Sequence, residues 1–253
     1  MPDGDSAALD PMHALDLEIE RLGIECDVAT RMAFSSYLDL IQEWNQRAGL
    51  TAISKSTEVV RRLFSESIAL LVALRGAQLL PTDEAVRVAD LGPGGGFPGL
   101  PMRLIAPGLQ LVLIESKGRR CEFLETVVAN LGLANVLVVN ERAEDAGRDE
   151  ALRESFDLVV ARAVAPLPVL VEYALPLLRA GGVLATPKGS RAAEELAEAR
   201  GAIEALGGVA LEAVPLSIPE GAPPQQVLLV QRDSDLNDRY PRRAGMPSKR
   251  PLA

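Results

Sequence analysis

From residue 85 onward, short apolar runs alternate with amphipathic stretches, and this alternation constrains the fold more than any other feature of the sequence. Alternating strands and helices predict a mainly parallel sheet with helices on both faces. The last two runs are separated only by "SIPEGAPP", which is too short for a crossover helix, so we expect those two strands to pair antiparallel. The predicted fold is therefore α/β, with seven strands at residues 85–91, 109–115, 135–140, 156–162, 181–188, 208–216 and 225–232.

The chain that precedes the sheet region is predicted to be helical. Phe34, Leu38, Ile41 and Trp44 recur at a spacing that places them on one face of a helix. A further helical pattern begins near Ser56, which is a candidate N-terminal cap. We divide the chain into residues 1–12, expected to be disordered, a helical extension at 13–80, an α/β domain at 81–232 and a basic tail at 233–253.

The net charge of −9 is unevenly distributed along the chain. Residues 1–30 hold eight acidic side chains and one basic side chain, so most of the acidity lies near the N-terminus. Residues 239–253 hold five basic side chains, no acidic one and three prolines, which disfavour a helix. This tail is expected to be extended, either as a solvated segment or as a flexible arm that contacts phosphates.

Several classes of protein are disfavoured by the sequence. Cys26 and Cys121 form no ligand pair, and the only histidine is His13, so neither a disulfide framework nor a metal site is expected. The first fifteen residues carry three aspartates and no basic residue, unlike a signal peptide. No stretch supplies about 20 uninterrupted apolar residues, so no membrane segment is expected. We expect a soluble, cytoplasmic protein that acts as a monomer.

The first predicted strand runs into a loop crowded with glycine, "DLGPGGGFPGLP" at residues 90–101. In an open parallel sheet, ligands bind beyond the carboxyl ends of the strands, at this type of turn. Gly94 to Gly99 match G-x-G-x-x-G, a pattern that is weak evidence by itself. Glu115 ends the second strand 21 residues after Gly94, where its carboxylate can accept both hydroxyls of an adenosine ribose. A dinucleotide-dependent dehydrogenase and an S-adenosylmethionine-dependent methyltransferase both fit these residues.

The ends of the later strands favour the methyltransferase. A dehydrogenase requires an acid–base residue near the nicotinamide, whereas His13 lies outside the predicted sheet. After the third strand, "NERAED" can place the backbone of Ala143 and the carboxylate of Glu144 beside an adenine, whose amine needs an acceptor. Arg162 and Lys188 end the fourth and fifth strands, where their cationic groups are candidates to position a phosphate or carbonyl of the acceptor rather than to act as bases.

A series of motifs follows a characteristic order along the chain. They are "WNQRAGLTAIS", "DLGPGGGFPGLP", "LIESKGRRCEFLETVVANLGLANV", "ERAED", "ARAVAPLPVLVEYALPLLRAGG" and the basic C-terminal segment. In order and spacing they resemble the motifs of the bacterial 16S rRNA guanine-N7 methyltransferases of the RsmG (GidB) type, from about residue 35 to the C-terminus. The resemblance implies a Rossmann-like class I S-adenosylmethionine-dependent methyltransferase fold with an N-terminal helical extension. It also implies methyl transfer from S-adenosylmethionine to N7 of guanine 527, in the 530 loop of 16S rRNA, within the small ribosomal subunit or its precursor.

Individual residues can be assigned to the cofactor and to RNA. By resemblance, the cofactor contacts are Gly92, Phe97, Ala143, Glu144 and Arg162. The argument from strand ends adds Gly94 and Glu115. The candidates for contact with RNA phosphates are the basic residues Arg61, Arg62, Lys117, Arg119, Arg120, Arg242 and Arg243.

The chain departs from the family pattern at three positions in the helical extension. Gly49 stands where the family has asparagine, and Leu63 and Glu66 stand where histidine and aspartate are common. Guanine N7 carries a lone pair and no proton, so methyl transfer requires alignment of the reacting atoms but no general base. Two alternatives remain open: a methyltransferase with another acceptor, and a non-catalytic RNA- or ribosome-binding module, which the three departures support.

Overall fold

The computed structural model describes residues 10–81 and 85–252. Its strands are β1 (Arg87–Leu91), β2 (Gln110–Ile114), β3 (Val136–Val139), β4 (Phe156–Ala161), β5 (Leu178–Lys188), β6 (Gly208–Ala210), β7 (Val214–Leu216) and β8 (Gln225–Arg232). They form one mixed sheet with the order β3-β2-β1-β4-β5-β8-β6, in which β7 also pairs with β8.

The pairing directions agree with the sequence prediction. Strands β1 to β5 are parallel, whereas β8 is antiparallel to β5, β6 and β7. The predicted strand at 208–216 is divided into β6 and β7, which gives eight strands in place of seven. From Ala210 to Val214 the chain advances four residues, while its partners on β8 advance three, from Val230 to Val227. The one extra residue interrupts the ladder at this point.

Side chains alternate between the two faces of the sheet, and each face has its own apolar core. On β4, Leu158 and Val160 belong to the same apolar cluster as Phe34 and Tyr37 of the helical extension. Val159 belongs to the cluster on the opposite face. The helical extension therefore covers one face of the sheet and shares a core with it.

The helical extension consists of α1 (Pro11–Arg21), α2 (Val28–Ala48), α3 (Ser56–Val59), a π-helical turn (Val60–Phe64) and α4 (Ser65–Gly76). Helix α1 begins before residue 13 because the Asp10 side chain caps it, accepting the N–H of His13 at 3.1 Å, and because Met12 packs in the core. Residues 10–12 are therefore ordered, contrary to the prediction. The same prediction for residues 1–9 lies outside the described residues.

The remaining helices are α5 (Gly99–Ile105), α6 (Gly118–Asn130), α7 (Ala143–Ala146), α8 (Leu167–Ala174), α9 (Ala192–Glu198), α10 (Arg200–Ala205) and α11 (Met246–Lys249). The C-terminal tail is folded, contrary to the prediction of an extended arm. Tyr240 is 3% exposed, and Arg242 forms an ion pair with the buried Glu172. The composition of the tail indicates its positive charge. It does not reveal that the buried carboxylate of Glu172 binds Arg242 of the tail.

No helix in the two described ranges is long and apolar enough to span a membrane. The same residues hold no group of three or more His, Cys, Asp and Glu side chains placed to bind a metal ion. Cys121 is buried, Cys26 is partly buried, and both thiols are free.

Candidate functional site

The glycine-rich loop between β1 and α5 is held by an aspartate that the sequence analysis did not single out. Asp90 is fully buried at the end of β1, and its Oδ2 accepts the N–H of Gly99 at 2.7 Å. A Cβ atom on Gly99 would lie 2.7 Å from the same oxygen, so this approach requires glycine. Burial raises the pKa of Asp90 well above its usual value; the Gly99 N–H opposes the rise, and the charge of Glu115 adds to it. In the sequence, an acidic residue at the end of an apolar strand, shortly before a glycine run, could have identified Asp90 as a residue that holds the loop.

Two further glycines bring the loop into contact with its neighbours. Gly92 has a φ of +62°, and a Cβ atom there would lie 3.0 Å from Val164 Cγ2. Gly94 has a φ of +59°, and its N–H donates to Glu115 Oε2 at 3.2 Å. This left-handed backbone favours glycine at both positions. The loop can therefore lie directly against the ends of the neighbouring strands.

Glu115 ties the glycine loop to the end of β2. Its side chain is buried, and Oε1 accepts the N–H of Lys117 at 3.0 Å while Oε2 accepts that of Gly94. Arg120 Nη1 lies 3.8 Å from Oε2. Each carboxylate oxygen can accept more than one hydrogen bond, so Glu115 retains acceptor capacity for ribose hydroxyls.

Glu144 follows β3 at the start of α7. It is buried, and its Oε1 accepts the N–H of Gly245 at 2.7 Å and Nη2–H of Arg142 at 3.4 Å. Burial acts to raise the pKa of Glu144, but hydrogen bonds from Gly245, from its own backbone N–H and from Arg142 outweigh burial and lower the pKa. Glu144 is therefore an ionised acceptor at neutral pH.

A cavity of about 270 Å³ at the strand ends is lined by both carboxylates. Apolar side chains, those of Leu91, Ile114 and Val164, complete part of its wall. Carboxylates suit the hydroxyls and amine of a nucleoside, and apolar side chains suit the faces of its base. The structure places four of the predicted cofactor residues in this lining: Gly92, Glu115, Ala143 and Glu144. Another predicted cofactor residue, Gly94, is outside this lining but donates its N–H to Glu115, which is in it.

Phe97 has a different position from the other predicted cofactor residues. It is not among the described residues that line the cavity. Its ring lies 5.8 Å from that of Tyr37 and 5.9 Å from that of Phe64, centroid to centroid. The Tyr37 hydroxyl also donates to the carbonyl of Gly95. Phe97 and Tyr37 thus fasten the glycine loop to the helical extension, a contact between distant segments that the sequence did not reveal.

Arg162 follows β4 and faces the helical extension. Its Nη2 lies 2.8 Å from Glu66 Oε2, and its buried Nη1 has no hydrogen-bond partner among the described residues. Arg162 is not in the lining of the 270 Å³ cavity as described. It therefore lies on the side of the site where Glu66 borders a second, larger cavity.

Lys188 does not join Arg162, although both were candidates to position the acceptor. Side chains alternate along β4 and β5, and this alternation places Arg162 on the face of the helical extension and Lys188 on the opposite face. Lys188 Nζ lies 2.7 Å from Glu195 Oε2 of α9. The structure thus assigns Lys188 to an ion pair with α9 and separates it from Arg162.

The second cavity, of about 680 Å³, is lined by both basic and acidic side chains. Arg61 and Arg62, from the π-helical turn, line it together with Glu66 and the segment at residues 219–223. A π-helical turn is rare and often marks a functional site. Both arginines, two of the predicted RNA contacts, are therefore placed at the mouth of this cavity.

The other basic candidates fall into two groups. Lys117, Arg119 and Arg120 lie at the start of α6, where Arg120 Nη2 donates to the carbonyl of Gly49 at 2.7 Å. Lys117 and Arg119 are exposed. In the tail, Arg243 is exposed, but the guanidinium of Arg242 is committed to Glu172, so the prediction of Arg242 as a phosphate contact is not supported by its position.

The three departures from the family pattern have structural explanations. Gly49 ends α2 with a φ of +60°, a conformation that glycine and asparagine both adopt. Leu63 packs in the core of the helical extension. Glu66 retains a carboxylate and pairs it with Arg162. The departures at Gly49 and Glu66 therefore preserve backbone shape and charge, and they give the non-catalytic alternative no support.

The fold and the cavity define the class of the protein. The strand order, the antiparallel β8 and the cavity beyond β1 and β2 are those of a Rossmann-like class I S-adenosylmethionine-dependent methyltransferase. The chain is similar to the crystal structure of a putative sarcosine dimethylglycine methyltransferase from Galdieria sulphuraria, with a TM-score of 0.50 and 13% identity. That similarity covers 67% of this chain and 86% of the other.

Sequence comparison identifies the family within this class. Residues 30–221 match the family described as rRNA small subunit methyltransferase G. A ribosomal RNA small subunit methyltransferase G from Desulfitobacterium hafniense (strain Y51) is 40% identical, over 92% of this chain and 94% of the relative. The protein of the same name from Lactobacillus johnsonii (strain CNCM I-12250 / La1 / NCC 533) is 39% identical, over 93% of this chain and 97% of the relative. The chain belongs to the rRNA small subunit methyltransferase G family.

Proposed function

We propose that this chain transfers a methyl group from S-adenosylmethionine to N7 of a guanine in the 530 loop of 16S rRNA. It acts in the cytoplasm, as a monomer, on the small ribosomal subunit or its precursor. The observation that carries the proposal is that Glu115 and Glu144, both buried, line one cavity at the strand ends, while Glu66, which pairs with Arg162, lines a second. The names of the relatives support an acceptor in small-subunit ribosomal RNA.

The smaller cavity fits S-adenosylmethionine, which supplies a methyl group activated by a sulfonium sulfur when bound. Glu115 would hold the ribose hydroxyls, because its buried carboxylate lies where the second strand ends. Glu144 and the backbone of Ala143 would hold the adenine. Gly92 and Gly94 leave space beside the loop backbone for the amino-acid end of the cofactor.

The residues on the acceptor side serve to position the guanine. Its N7 carries no proton, so no side chain has to act as a general base. The one histidine of the sequence, His13, lies in α1, in the helical extension. Glu66 holds the guanidinium of Arg162 at 2.8 Å, and Arg162 Nη1 has no partner within the described ranges. Binding of the RNA would have to expose this buried N–H group, which would then donate to guanine O6 or to a phosphate and align N7 with the methyl group.

The RNA is held mainly by its phosphates and its shape. Arg61 and Arg62 border the larger cavity, and Lys117 and Arg119 are exposed on α6. With a net charge of −9, the chain as a whole does not attract RNA, so binding depends on these local groups and on a folded ribosomal surface.

Deletion of the gene tests the proposal in the cell. We expect 7-methylguanine to disappear from the 530 loop, as read by borohydride and aniline cleavage followed by primer extension. The wild-type gene should restore the methyl group and Arg162→Ala should not. Arg191→Ala is the matched control, because Arg191 is exposed and pairs only with Glu194 and Glu198 among the described residues.

The outcome separates the proposal from its alternatives. Unchanged methylation of the 530 loop in the deletion strain would contradict the proposed acceptor. Loss of a methyl group from another nucleotide would support the methyltransferase with a different acceptor.

A further inference from the structure

The folded C-terminal tail contributes to the cofactor cavity through residues 239–252, here called the C-terminal strap. Arg242 anchors the strap: its backbone N–H donates to Glu172 Oε1 at 2.8 Å, and its guanidinium donates to both oxygens at 2.6 to 3.1 Å. Glu172 is fully buried in α8, and within the described residues Arg242 supplies all its side-chain hydrogen bonds. Removing the Arg242 side chain alone would leave a buried carboxylate without its partner, which is destabilising.

A second anchor holds the strap against α7, the helix that carries Glu144. The carbonyl of the buried Tyr240 accepts Nη1–H of Arg153 at 2.8 Å. Gly147 directly follows α7, and a Cβ atom there would lie 3.0 Å from Pro241 Cγ. The strap is therefore fixed on both sides of the adenine end of the cavity, on α7 and on α8.

Between these anchors and α11, the strap contacts the Glu144 carboxylate. Gly245 has a φ of +79°, a left-handed conformation that favours glycine, and its N–H donates to Glu144 Oε1 at 2.7 Å. Among the described residues, the side chain of Arg142 also donates to this oxygen, at 3.4 Å, and Arg142 is exposed. The shorter bond from Gly245 is the one that sets the orientation of the carboxylate.

The strap also places a hydroxyl pair in the lining of the cavity. Ser248 Oγ lies 2.8 Å from Tyr173 Oη, and both residues line the 270 Å³ cavity together with Glu144. Tyr173 is the next residue after Glu172, so the anchor of the strap and this hydroxyl belong to the same turn of α8. A hydroxyl can donate and accept, so the pair can serve both kinds of group on the edge of a base.

We propose that the C-terminal strap makes the cofactor cavity specific for adenine by fixing the Glu144 carboxylate and the Tyr173–Ser248 hydroxyl pair at the edge of the base. The inference rests on the function proposed above. An ionised carboxylate accepts a hydrogen bond from the exocyclic amine of adenine and repels the carbonyl oxygen that hypoxanthine carries at that position. Release of the strap frees Glu144 to turn, and the discrimination is lost.

Calorimetric titration with S-adenosylhomocysteine and with S-inosylhomocysteine tests the inference. We expect the wild-type chain to bind the adenine compound about 10- to 100-fold more tightly, as for a lost hydrogen bond to a charged group. Arg242→Ala combined with Glu172→Gln removes the main anchor of the strap without leaving a buried charge unpaired, and should lower the ratio of the two dissociation constants toward one. Ser248→Ala should weaken binding of S-adenosylhomocysteine about 2- to 10-fold. Lys249→Met, an exposed strap residue, should match the wild type.

The outcomes separate this inference from the proposed function. Failure of the wild type to bind S-adenosylhomocysteine contradicts the cofactor assignment itself. Tight binding with the same ratio of dissociation constants in the wild type, the double variant and Ser248→Ala overturns the role of the strap and leaves the proposed function standing. If the double variant shows no cooperative thermal transition, the inference is decided by the affinities of Ser248→Ala and Lys249→Met for S-adenosylhomocysteine. Equal affinities of these two variants would overturn it.

Discussion

Glu66 Oε2 lies 2.8 Å from Arg162 Nη2, and this ion pair joins α4 of the helical extension to the end of β4. Both side chains are largely buried, with 8% and 22% of their surfaces exposed. Burial lowers the pKa of Arg162, and the carboxylate of Glu66 opposes that shift. The helical extension therefore covers the sheet and also orients the Arg162 guanidinium at the end of β4.

Replacing Glu66 should impair methyl transfer more than cofactor binding. Glu66→Ala leaves the Arg162 guanidinium without its carboxylate, so we expect transfer to small subunits to slow about 10- to 100-fold. Glu66→Asp should retain part of the rate because it keeps the charge. The dissociation constant of S-adenosylmethionine should change less than about twofold, since Glu66 lies outside the cofactor cavity.

Single-turnover transfer and calorimetric titration provide the two readouts for Glu66. Glu43→Ala is the matched control, because Glu43 pairs with Arg47 at 3.3 Å on an exposed surface where such pairs contribute little. A Glu66→Ala chain that transfers methyl groups at the wild-type rate would show that Arg162 needs no partner.

The glycine loop should not tolerate a methyl group at Gly96, whereas Gly108, outside the loop, should tolerate one. Gly96 has a φ of +93°, and a Cβ atom there would overlap Leu100 and the Tyr37 hydroxyl. We expect Gly96→Ala to lower the free energy of unfolding by about 1–3 kcal/mol. Gly108→Ala should change it by less than about 0.5 kcal/mol, because a Cβ atom at Gly108 meets nothing within 4 Å. Urea denaturation measures both, and equal stability of the two variants would contradict the packing described for the loop.

Stability should depend on pH through Asp90. Burial raises the pKa of Asp90 well above the ordinary value of 3.8, against the opposing hydrogen bond from Gly99. At pH values between 3.8 and the raised pKa of the folded state, Asp90 holds a proton in the folded chain and releases it in the unfolded chain. The contribution of Asp90 to the free energy of unfolding therefore falls as pH rises through this window. Asp90→Asn carries no titrating group and should flatten this part of the profile.

Urea denaturation of the wild type and Asp90→Asn from about pH 5 to about pH 8 measures the effect of Asp90. Asp39→Asn, an exposed position on α2, should keep the wild-type slope. Parallel profiles for the wild type and Asp90→Asn would mean that Asp90 is ionised in the folded protein.

The arginines of the π-helical turn should act on RNA and not on the cofactor. We expect Arg61→Ala with Arg62→Ala to weaken binding to small subunits and to reduce the slope of the logarithm of the binding constant against the logarithm of salt concentration by about 1–2. The affinity for S-adenosylmethionine should not change, because both residues line the other cavity. Filter binding at several salt concentrations measures the slope, with Arg191→Ala as control. An unchanged slope would remove both arginines from the RNA interface.

The sequence predicted those features that depend on local pattern. Strand–helix alternation predicted the parallel sheet, and the short linker at residues 217–224 predicted the direction of β8. The glycine run after β1 located the loop. Glu115 and Glu144 could be proposed as a pair because Glu115 directly follows β2 and Glu144 lies shortly after β3. These two strands are parallel neighbours, and their carboxyl ends meet at one edge of the sheet.

The features that the sequence did not predict depend on contacts between distant segments. The partner of Arg162 is Glu66, 96 positions earlier in the chain, and that of Arg242 is Glu172, 70 positions earlier. No local pattern connects such residues, so the basic tail was expected to be an extended arm. Lys188 was grouped with Arg162 because both end strands, but the alternation of side chains placed them on opposite faces.

The proposed reaction can be measured as transfer of a labelled methyl group to purified small ribosomal subunits from a strain that lacks the gene. With S-adenosylmethionine labelled on the methyl carbon, we expect the label in 16S rRNA as 7-methylguanosine, within the fragment that contains the 530 loop. Arg162→Ala should lose most of this transfer, and Arg191→Ala should not. Label recovered in another nucleotide, or no label in 16S rRNA from any small-subunit preparation, would show that the proposed function is wrong.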